Sequence, residues 1–516
     1  KDCDFSIPFP NTDIDLVAGV AVQSSNGFKF LNNELNVSVS ARDSNLFYPT
    51  FTIFAKIDDK TLMNAQAQEK ATQMHWEKLI TSKRFGMEQY HDDRHHTRTD
   101  FQRDYDRLVF SAPFRRLQNK TQVFPLPGSI FVHNRLTHSL EVSCVGRSLG
   151  NNVSAVLSEK YKNEPWCYKL NHLGAITSAA CLAHDLGNPP FGHSGERAIA
   201  TYFSEGNGQI IKQELKNEYH WQDLTHFEGN ANAFRLLTHQ FQGRRPGGFA
   251  LTYSTLASIV KYPYSSIQST KKGKSGFFTS EKQDFLRIAR DLGLLPDGDS
   301  GERYHRHPLV YLVEAADDIC YQIMDIEDAH KLKILTTETV KKLFLDFFDD
   351  DRKKHINEVL EIVSDLNEQI VYLRSCVIGT LIDECSTLFC REEQALLEGR
   401  FKGALVDHIS ERPRTAYQNC ADTAWTKIYK SSDVLDIELA GNRIISVLLD
   451  KFLDAVRFPD KAYSRLLLNK VPEQYEVHST TLYGKVQAVI DYISGMTDVY
   501  ALDLYRKING MSLPSL

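Results

Sequence analysis

Apolar residues recur at positions i, i+3, i+4 and i+7 along most of the chain after about residue 62. Such spacing places them on one face of an α-helix, and short breaks rich in Gly, Pro or Asn separate the segments. The clearest segments are 136–157, 173–185, 308–334, 356–389 and 444–458. No internal repeat or long linker interrupts residues 63–516, so we predict one all-α body there, with a C-terminal helical part from about residue 335.

Residues 1–62 follow a different pattern. They are rich in Asn, Ser, Thr, Asp and Phe, and two strand-like stretches, 35–39 and 51–57, lie between turn-forming residues. Three interpretations stay open: a small β appendage, a poorly ordered leader, or sequence upstream of a natural start at Met63. We expect no signal peptide, because an acidic residue follows Lys1. This segment supplies no chemistry that we can assign.

The composition narrows the class of protein. Of 516 residues, 42% are hydrophobic and 24% are charged, which are ordinary globular values. The 60 basic and 66 acidic residues give a net charge of −6, which argues against a dedicated nucleic-acid binder. Nine scattered cysteines form no CxxC pair, and the apolar runs are far shorter than the ~20 residues of a membrane span. We therefore expect a cytoplasmic protein with no structural disulfide and no membrane partner.

The dipeptide His-Asp occurs twice, and about one occurrence is expected by chance in a chain with 18 histidines. His91-Asp92 lies in a very polar run, which is typical of a solvated loop or helix start. His184-Asp185 instead ends an apolar helical segment, and a glycine and two prolines stop the helix behind it. An imidazole and a carboxylate at the end of a buried helix need partners, and a divalent metal with two further ligands would satisfy both.

Two further residues are candidate ligands for such a metal. His138 stands at the start of a predicted helix and would enter the core from there. Asp317 is an acid inside an otherwise apolar helix, which is costly unless the carboxylate is paired or metal-bound. Each residue by itself is equally well explained as a satisfied core or capping residue. The neighbouring Asp318 is an alternative to Asp317.

Longer motifs surround these residues. They are FSAPFRRLQNKTQVFPL, HNRLTHSLEVSCVGRSLG, CLAHDLGNPPFGHSGERAI, LVEAADDICYQIMDIEDA and DYISGMTDVYALDLYRK. In this order they resemble the deoxyguanosine triphosphate triphosphohydrolase (dGTPase) family of HD-domain phosphohydrolases, over about residues 74–511. The resemblance implies an all-helical, metal-dependent hydrolase with its metal site within residues 135–330. We recognise no counterpart for residues 1–62.

The resemblance also implies roles for single residues. It assigns metal ligation to His138, His184, Asp185 and Asp317, and catalysis to His193 and Glu196. A carboxylate near His193 would hold the imidazole in one tautomer and raise its basicity. Glu196 would also favour the first turn of the helix that follows, which is compatible with both roles.

The substrate side of the site is predicted from helical phase and from the resemblance together. Asp317, Tyr321 and Asp325 stand at i, i+4 and i+8, so their side chains drift by only about 80° around the helix and share one face. Tyr321 would pack on a sugar, and Asp325 would accept a hydrogen bond from a 3′-hydroxyl. A solvent-exposed edge of the helix is the alternative for these residues.

The remaining substrate contacts involve phosphates and the sugar. A triphosphate requires converging cations, and Arg135 lies three residues before His138, while Lys261-Tyr262 resembles the phosphate-contacting pair of the family. Gln122 matches a nucleotide-contacting position. A deoxyribose held between Tyr321 and the Gln122 segment would leave no space for a 2′-hydroxyl. No spacing identifies residues that select guanine.

We therefore predict metal-dependent hydrolysis of dGTP to deoxyguanosine and inorganic tripolyphosphate. Mn²⁺ or Mg²⁺ suits the His₂Asp₂ site, and Fe or Zn are further options. The resemblance suggests a homo-oligomer, such as a hexamer. One alternative is a broad dNTP triphosphohydrolase or nucleotidase. A second is a nucleotide-sensing or single-stranded DNA binding protein, because the tracts 240–248 and 265–276 are basic and are predicted to be surface loops.

Overall fold

The computed structural model describes residues 29–31, 34–38, 52–56, 72–89, 97–124, 132–269, 273–298, 301–430 and 432–511. The chain divides into two compact units, Lys1–Thr72 and Gln73–Leu516. The boundary predicted between residues 62 and 63 lies outside the described residues, and so does the dipeptide His91-Asp92.

The described part of the first unit is a small antiparallel sheet. Its strands β1 (Lys29–Leu31), β2 (Glu34–Ser38) and β3 (Thr52–Lys56) lie in that order. In the register of the sheet, Leu35 pairs with Phe30 of β1 and with Ala55 of β3. The strands β2 and β3 overlap the two stretches in which the sequence pattern predicts strands.

The second unit is helical, which confirms the all-α prediction for this part of the chain. In its described residues the earlier helices are α1 (Trp76–Leu79), α2 (Asp100–Val109), α3 (Ala112–Arg116), α4 (Arg135–Lys160), α5 (Leu173–Ala183), α6 (Gly192–Ser204), α7 (Glu218–Thr225), α8 (Gly229–Thr238), α9 (Tyr253–Ile259) and α10 (Lys282–Leu292). The later helices are α11 (Leu309–Lys331), α12 (Thr337–Leu345), α13 (Asp350–Ile362), α14 (Leu366–Arg391), α15 (Glu393–Leu397), α16 (Glu411–Lys427), α17 (Ser432–Arg457), α18 (Ala462–Leu468), α19 (Leu482–Ser494) and α20 (Asp498–Ile508).

Four of the five predicted apolar segments correspond to single helices, but the segment 356–389 does not. It is divided between α13 and α14, so the prediction of one continuous periodic segment was wrong there. The side chain of Asp365 accepts hydrogen bonds from the N–H groups of Asn367 and Glu368 at 2.8 and 2.9 Å. This N-cap starts a new helix, because it satisfies backbone donors that a continuous helix would bond elsewhere.

Two hydrophobic cores hold the helices together. The first is built mainly on α4, α5, α11 and α14, and it buries residues such as Leu182 and Ile319 completely. The second joins α6, α7, α17 and α19 around residues such as Phe203 and Leu448. The helices that carry the predicted metal ligands belong to the first core, whereas α6, which carries His193, belongs to the second.

The crossing of α4 and α5 depends on glycine. A Cβ atom at Gly150 would lie 2.7 Å from the Cα atom of Gly174 on the other helix, closer than two carbon atoms tolerate. The start of α4 lies beside the end of α5, so the imidazole rings of His138 and His184 are 5.4 Å apart. Among the described helices, none combines the length and hydropathy that crossing a bilayer requires.

Candidate active site

A cavity of about 300 Å³ lies where the start of α4, the end of α5, the start of α6 and the middle of α11 meet. Its wall contains eleven of the twelve residues that the sequence singles out: Gln122, Arg135, His138, His184, Asp185, His193, Glu196, Lys261, Tyr262, Asp317 and Tyr321. The twelfth, Asp325, is buried one helical turn beyond Tyr321 and does not line the cavity.

The first turn of α4 places two of these residues. Asn134 caps the helix by accepting hydrogen bonds from the N–H groups of Leu136 and Thr137, and the side chain of Thr137 accepts one from the N–H of Asn134. This reciprocal cap fixes where the helix begins. Arg135 and His138 are one turn apart and therefore enter the cavity side by side.

His184 is oriented by the last turn of α5. Its Nδ1 lies 2.6 Å from the carbonyl oxygen of Cys181, so Nδ1–H donates and Nε2 carries the lone pair. That Nε2 atom is buried and has no hydrogen-bond partner among the described residues. A second-sphere carbonyl of this kind is what sets the tautomer of a metal-binding histidine.

The imidazole and carboxylate groups of three helices converge on one point. His138, His184 and Asp317 form a group that could hold a metal ion. The Oδ1 atom of Asp317 lies 3.1 Å from Nε2 of His138 and 3.4 Å from Nε2 of His184. Ligand atoms at about 2.1 Å from a common ion are about 3.0–3.4 Å apart in octahedral or tetrahedral arrangements, so the separations fit a divalent cation.

Asp185 lies at the edge of this group. Its Oδ1 is 3.6 Å from Nε2 of His184 and accepts a hydrogen bond from the side chain of Asn188. Its Oδ2 accepts from Nη1 of Arg135 at 2.7 Å. The structure therefore brings three of the four predicted ligands together and leaves the fourth paired with an arginine beside them.

The carboxylates create a field that favours positive charge at this point. Burial alone would lower the pKa of His184, but the charges of Asp185 and Asp317 outweigh it and raise the pKa to about 9. Burial would raise the pKa of Asp317, whereas His184 and His138 hold it well below its usual range. A divalent cation would experience the same field and would replace the proton that the His184 imidazole otherwise carries. The donor set therefore fits a metal.

The loop between α5 and α6 is held from the C-terminal helices. Asp498, the first residue of α20, accepts hydrogen bonds from the N–H of Phe191 at 2.9 Å and from the N–H of Thr121 at 2.8 Å. Phe191 has a φ of 64°, a conformation that non-glycine residues rarely adopt and that needs such support. The buried Lys120 donates to the carbonyl oxygens of Asn188 and Ser494 at 2.5 and 2.9 Å. We call these contacts the Asp498–Lys120 clamp.

His193 and Glu196 form a hydrogen-bonded pair in the first turn of α6. Nδ1 of His193 lies 2.8 Å from Oε2 of Glu196, and Oε1 of Glu196 accepts from the N–H of Gly229 at 2.8 Å. The carboxylate thereby takes Nδ1–H, which leaves Nε2 for a ligand. The hydrogen bond to Glu196 and its charge raise the pKa of His193 against the effect of burial.

Two lysines, Lys261 and Lys274, approach the cavity from the segment that follows α9. Nζ of Lys261 lies 3.0 Å from Oε1 of Glu314, whose Oε2 pairs with Arg306 at 2.8 Å. Burial alone would lower the pKa of Lys261, but Glu314 outweighs it and raises the pKa. Nζ of Lys274 lies 2.7 Å from Glu228. Both lysines are therefore positively charged. A polyanion that enters the cavity would compete with Glu314 for Lys261 and with Glu228 for Lys274.

The sugar side of the predicted site is only partly exposed. Tyr321 and Gln122 line the cavity, and Oε1 of Gln122 is buried without a hydrogen-bond partner among the described residues. Asp325 is 4% exposed, and its Oδ2 accepts a hydrogen bond from the hydroxyl of Tyr429 at 2.5 Å. Of the predicted Asp-Tyr-Asp face, Asp317 and Tyr321 therefore line the cavity, whereas Asp325 does not.

Four polar residues of the cavity wall were not predicted from the sequence. They are Asn188, Asn230, Lys274 and Glu314. Glu314 lies three residues before Asp317, so helical phase could have identified it. Lys274 was assigned to a surface loop, and that prediction was wrong for this end of the tract, because Ser275 is fully buried and Lys274 faces the cavity.

Two known domains match the chain. The HD domain matches residues 135–262, which include the histidines of α4, α5 and α6. The phosphohydrolase-associated domain matches residues 408–507, which include most of the second core and Asp498 of the clamp. Asp317 lies on α11, between the two matched segments.

Curated relatives align with most of the chain. A deoxyguanosinetriphosphate triphosphohydrolase-like protein of Pseudomonas aeruginosa is 38% identical over 459 residues, which cover 86% of this chain and 100% of the relative. A protein of the same description from Synechocystis is 37% identical over 452 residues, covering 85% and 100%. The deoxyguanosinetriphosphate triphosphohydrolase of Yersinia enterocolitica is 30% identical over 510 residues, covering 84% and 98%.

Proposed function

Because the chain belongs to the deoxyguanosinetriphosphate triphosphohydrolase family of HD-domain phosphohydrolases, we propose that it hydrolyses dGTP to deoxyguanosine and inorganic tripolyphosphate. Membership of this family makes the chain a hydrolase with a metal-binding His/Asp group. The substrate and the position of the cleaved bond are the parts that we propose. In this reaction, the oxygen of water adds to the α-phosphorus and the bond to the 5′-oxygen breaks.

One observation carries the proposal. The converging atoms of His138, His184 and Asp317 share a cavity with the hydrogen-bonded pair His193–Glu196, and Lys261 lines the same wall. Sites for a cation, for a proton donor and for phosphate charge therefore lie within about 300 Å³. Hydrolysis of a phosphate ester needs all three.

We propose that His138, His184, Asp185 and Asp317 hold a divalent metal, with Mn²⁺ or Mg²⁺ preferred over Fe or Zn. When bound, such a cation neutralises charge on a phosphoryl oxygen and lowers the pKa of water. Arg135 keeps the carboxylate of Asp185 in place through the contact at 2.7 Å. The arginine therefore has a positioning role in addition to the phosphate contact that the sequence predicts.

His193 is proposed to protonate the leaving 5′-oxygen from Nε2, while Glu196 holds Nδ1–H. The hydrogen bond and the charge of Glu196 raise the pKa of His193, which favours the protonated imidazole that an acid catalyst needs. Lys261, Lys274 and Tyr262 are proposed to bind the triphosphate, since all three line the cavity. Tyr321 and Gln122 are proposed to enclose the deoxyribose.

The assignment is tested with His193→Ala and Asp185→Ala in the presence of Mn²⁺ and dGTP. Each variant should lose at least about 100-fold in kcat, because general acid catalysis and metal binding each contribute that much or more. His355→Ala is the matched control, since His355 is 62% exposed and lies on α13 far along the chain. Tripolyphosphate release at the wild-type rate by either site variant would refute the assignment.

Substrate range is tested with the four dNTPs and GTP, and the products are separated by ion exchange. We expect dGTP to be preferred, GTP to be rejected, and tripolyphosphate to be the phosphate product. Comparable turnover of all dNTPs would replace the guanine preference with broad dNTP hydrolysis. Release of single phosphates would replace the triphosphohydrolase with a nucleotidase.

Metal dependence has a readout besides activity. Dialysis against a chelator should abolish turnover and lower the melting temperature, and added Mn²⁺ should restore both, because an ion that binds only the folded state stabilises it. In His184→Ala, added Mn²⁺ should raise the melting temperature much less. An equal rise in the wild type and in this variant would contradict the proposed ligand set.

Three further properties stay proposals. A homo-oligomer, such as a hexamer, is supported by the exposed leucines Leu435 and Leu439 on one face of α17, and light scattering measures its mass.

Binding of single-stranded DNA by the basic tract 240–248 is tested by salt-dependent association in the absence of nucleotide. A cytoplasmic location is supported by the free thiols of all described cysteines.

A further inference from the structure

Glu228 is a buried carboxylate whose position is not explained by the helix that follows it. The residue stands at the N-cap of α8 and is 3% exposed, but within the described part of the chain its side chain makes no capping bond to that helix. Burial of a carboxylate costs free energy unless hydrogen-bond donors compensate it. The donors that compensate Glu228 belong to the wall of the cavity and not to the backbone of α8.

Two polar groups of the cavity wall are bound to this carboxylate. Its Oε2 lies 2.7 Å from Nζ of Lys274, and its Oε1 accepts a hydrogen bond from Nδ2 of Asn230 at 2.6 Å. Lys274 and Asn230 both line the cavity, whereas Glu228 is not among the described residues of the wall. One carboxylate behind the wall therefore holds an ammonium and an amide that are open to a ligand.

The charges around Glu228 depend on Lys274. Burial and the charge of Glu196 raise the pKa of Glu228, whereas Lys274 lowers it. Burial alone would lower the pKa of Lys274, but the charges of Glu228 and Glu196 outweigh it. The N–H of Gly229, the residue next to Glu228, donates to Glu196 at 2.8 Å. Lys274 thus offsets two buried carboxylates, one of which holds the imidazole of His193.

We propose that Glu228 is a positioning residue for the phosphate chain of the substrate. Its two oxygens hold the ammonium of Lys274 and the amide of Asn230 at fixed places in the cavity wall. An ammonium has three N–H donors, so one stays with Glu228 while the other two turn to phosphate oxygens. A lysine that is already ordered loses less side-chain entropy when the anion binds. The inference rests on the proposed binding of a nucleoside triphosphate.

Positioning and simple competition predict opposite effects of removing the carboxylate. If Glu228 only competed with phosphate for Lys274, loss of its charge would free the ammonium and tighten the binding of a polyanion. If Glu228 positions Lys274 and Asn230, loss of its charge weakens that binding. The sign of the change in affinity therefore decides between the two roles.

Calorimetry measures the binding of inorganic tripolyphosphate and of deoxyguanosine to the Mn²⁺-loaded protein, with equal free Mn²⁺ in cell and syringe. Glu228→Gln keeps the size of the side chain but removes its charge. We expect this variant to bind tripolyphosphate about 10-fold more weakly, the effect of one lost hydrogen bond to a charged group. Its affinity for deoxyguanosine should stay within about twofold of the wild type. Unchanged or tighter binding of tripolyphosphate would overturn the inference.

A double variant tests whether Glu228 acts through Lys274. Lys274→Met removes the ammonium, so the further change Glu228→Gln should add little to its loss of tripolyphosphate affinity. Additive losses would overturn the inference, because Glu228 would then act on the anion by another route. In steady-state assays with dGTP, Glu228→Gln should raise KM more than it lowers kcat.

Glu393→Gln is the matched control. Glu393 is a buried glutamate outside the cavity wall, and it pairs with Lys160 through Oε2 and accepts from Nε1 of Trp76 at 2.7 Å. This variant should lower the melting temperature and bind both ligands as the wild type does. If Glu228→Gln does not fold, Glu228→Asp carries the test, because it keeps the charge but draws the carboxylate back by one methylene. Wild-type affinity for tripolyphosphate in folded Glu228→Asp would then overturn the inference.

Failure of the proposed function is distinguishable from failure of the inference. If the wild type hydrolyses no dGTP, the proposed reaction is wrong, and the binding data alone decide the positioning role. If the wild type hydrolyses dGTP and Glu228→Gln binds tripolyphosphate equally well, only the inference fails. A wild type that binds no tripolyphosphate overturns the inference whatever its activity.

Discussion

His193 has a proton affinity that one neighbour controls. Glu196 binds its Nδ1, and Glu196 is in turn fixed by the N–H of Gly229. The carboxylate is buried, whereas the imidazole side chain is 67% exposed toward the cavity. Substitution of Glu196 therefore changes the pKa of His193 without removing the proton-transfer group.

We predict that Glu196→Gln moves the alkaline limb of the pH profile of kcat/KM to lower pH. As an acid, His193 is active below its pKa and loses activity as the pH rises through it. Because Glu196 raises that pKa, loss of its charge lowers it and the limb follows. Steady-state rates with dGTP between about pH 5.5 and 9.5 measure the shift.

The control for this shift is Glu205→Gln, which removes an exposed carboxylate at the end of the same helix. Its profile should coincide with that of the wild type. A Glu196→Gln profile that is lowered in amplitude but unchanged in position would show that Glu196 acts on something other than the His193 proton.

Residues within contiguous motifs could be predicted from the sequence, and residues brought in by the fold could not. His184, His193 and Glu196 lie in one stretch whose helix ends are set by local Gly and Pro, so their proximity is largely a local property. Lys274 reaches the cavity because Glu228 and a buried loop hold it there. Those contacts are distant in sequence, and a basic Gly-rich tract gives no local sign of them.

The helix pair α4 and α5 forms the frame on which the histidines lie. We predict that Gly150→Ala lowers the free energy of unfolding by about 1–3 kcal/mol, because its Cβ would meet the backbone of Gly174 and force the helices apart. Gly379→Ala is the matched control on α14, where an added Cβ meets nothing within 4 Å. That variant should be neutral or more stable by up to about 1 kcal/mol, since Ala favours helix. Denaturant titration measures both, and equal effects would contradict the close crossing.

His307 joins α1 to the start of α11 as a neutral imidazole. Its Nε2 donates to the carbonyl oxygen of Leu79 and its Nδ1 accepts from the N–H of Leu309, both at 3.2 Å. Burial lowers its pKa from 6.5 to about 4. In this pH range the unfolded chain binds a proton that the folded chain does not, so stability falls as the pH decreases from about 6.5 to about 4.

We predict that His307→Gln flattens this acid dependence, because the amide can donate and accept as the imidazole does but cannot titrate. The lost dependence should be at most about 3 kcal/mol between pH 6.5 and 4. Urea titrations at several pH values measure it, with the exposed His355→Gln as the control that keeps the wild-type slope. An unchanged slope in His307→Gln would assign acid sensitivity to other groups.

At the scale of elements, periodicity predicted α4, α5 and α11 to within a few residues, since each has an apolar face and a clear stop signal. It failed between α13 and α14, where apolar residues continue in phase across the cap at Asp365. The carboxylate of Asp365 caps the second helix and so ends the continuous segment, and the spacing of hydrophobic residues gives no sign of this cap.

The Asp498–Lys120 clamp links residues 120–121 and the loop before α6 to the C-terminal helices of the second unit. We predict that Asp498→Asn lowers kcat with dGTP by at least about 10-fold and the free energy of unfolding by about 1–3 kcal/mol, since the oxygen of the amide replaces only one of the two carboxylate oxygens that accept from Thr121 and Phe191. Asp503→Asn is the control on α20, because Asp503 forms an exposed pair with Lys507. Equal activity of the two variants would show that the clamp does not position the loop that precedes His193.

The clamp also constrains how such a chain can diversify by recombination. One carboxylate of the C-terminal segment recognises two backbone positions that are encoded hundreds of codons upstream. A crossover between two genes that separates residue 498 from residues 121 and 191 therefore yields a working hybrid only if both parents build the same interlock. We therefore expect the segments 135–262 and 408–507 to be exchanged together, although they match two separate domains.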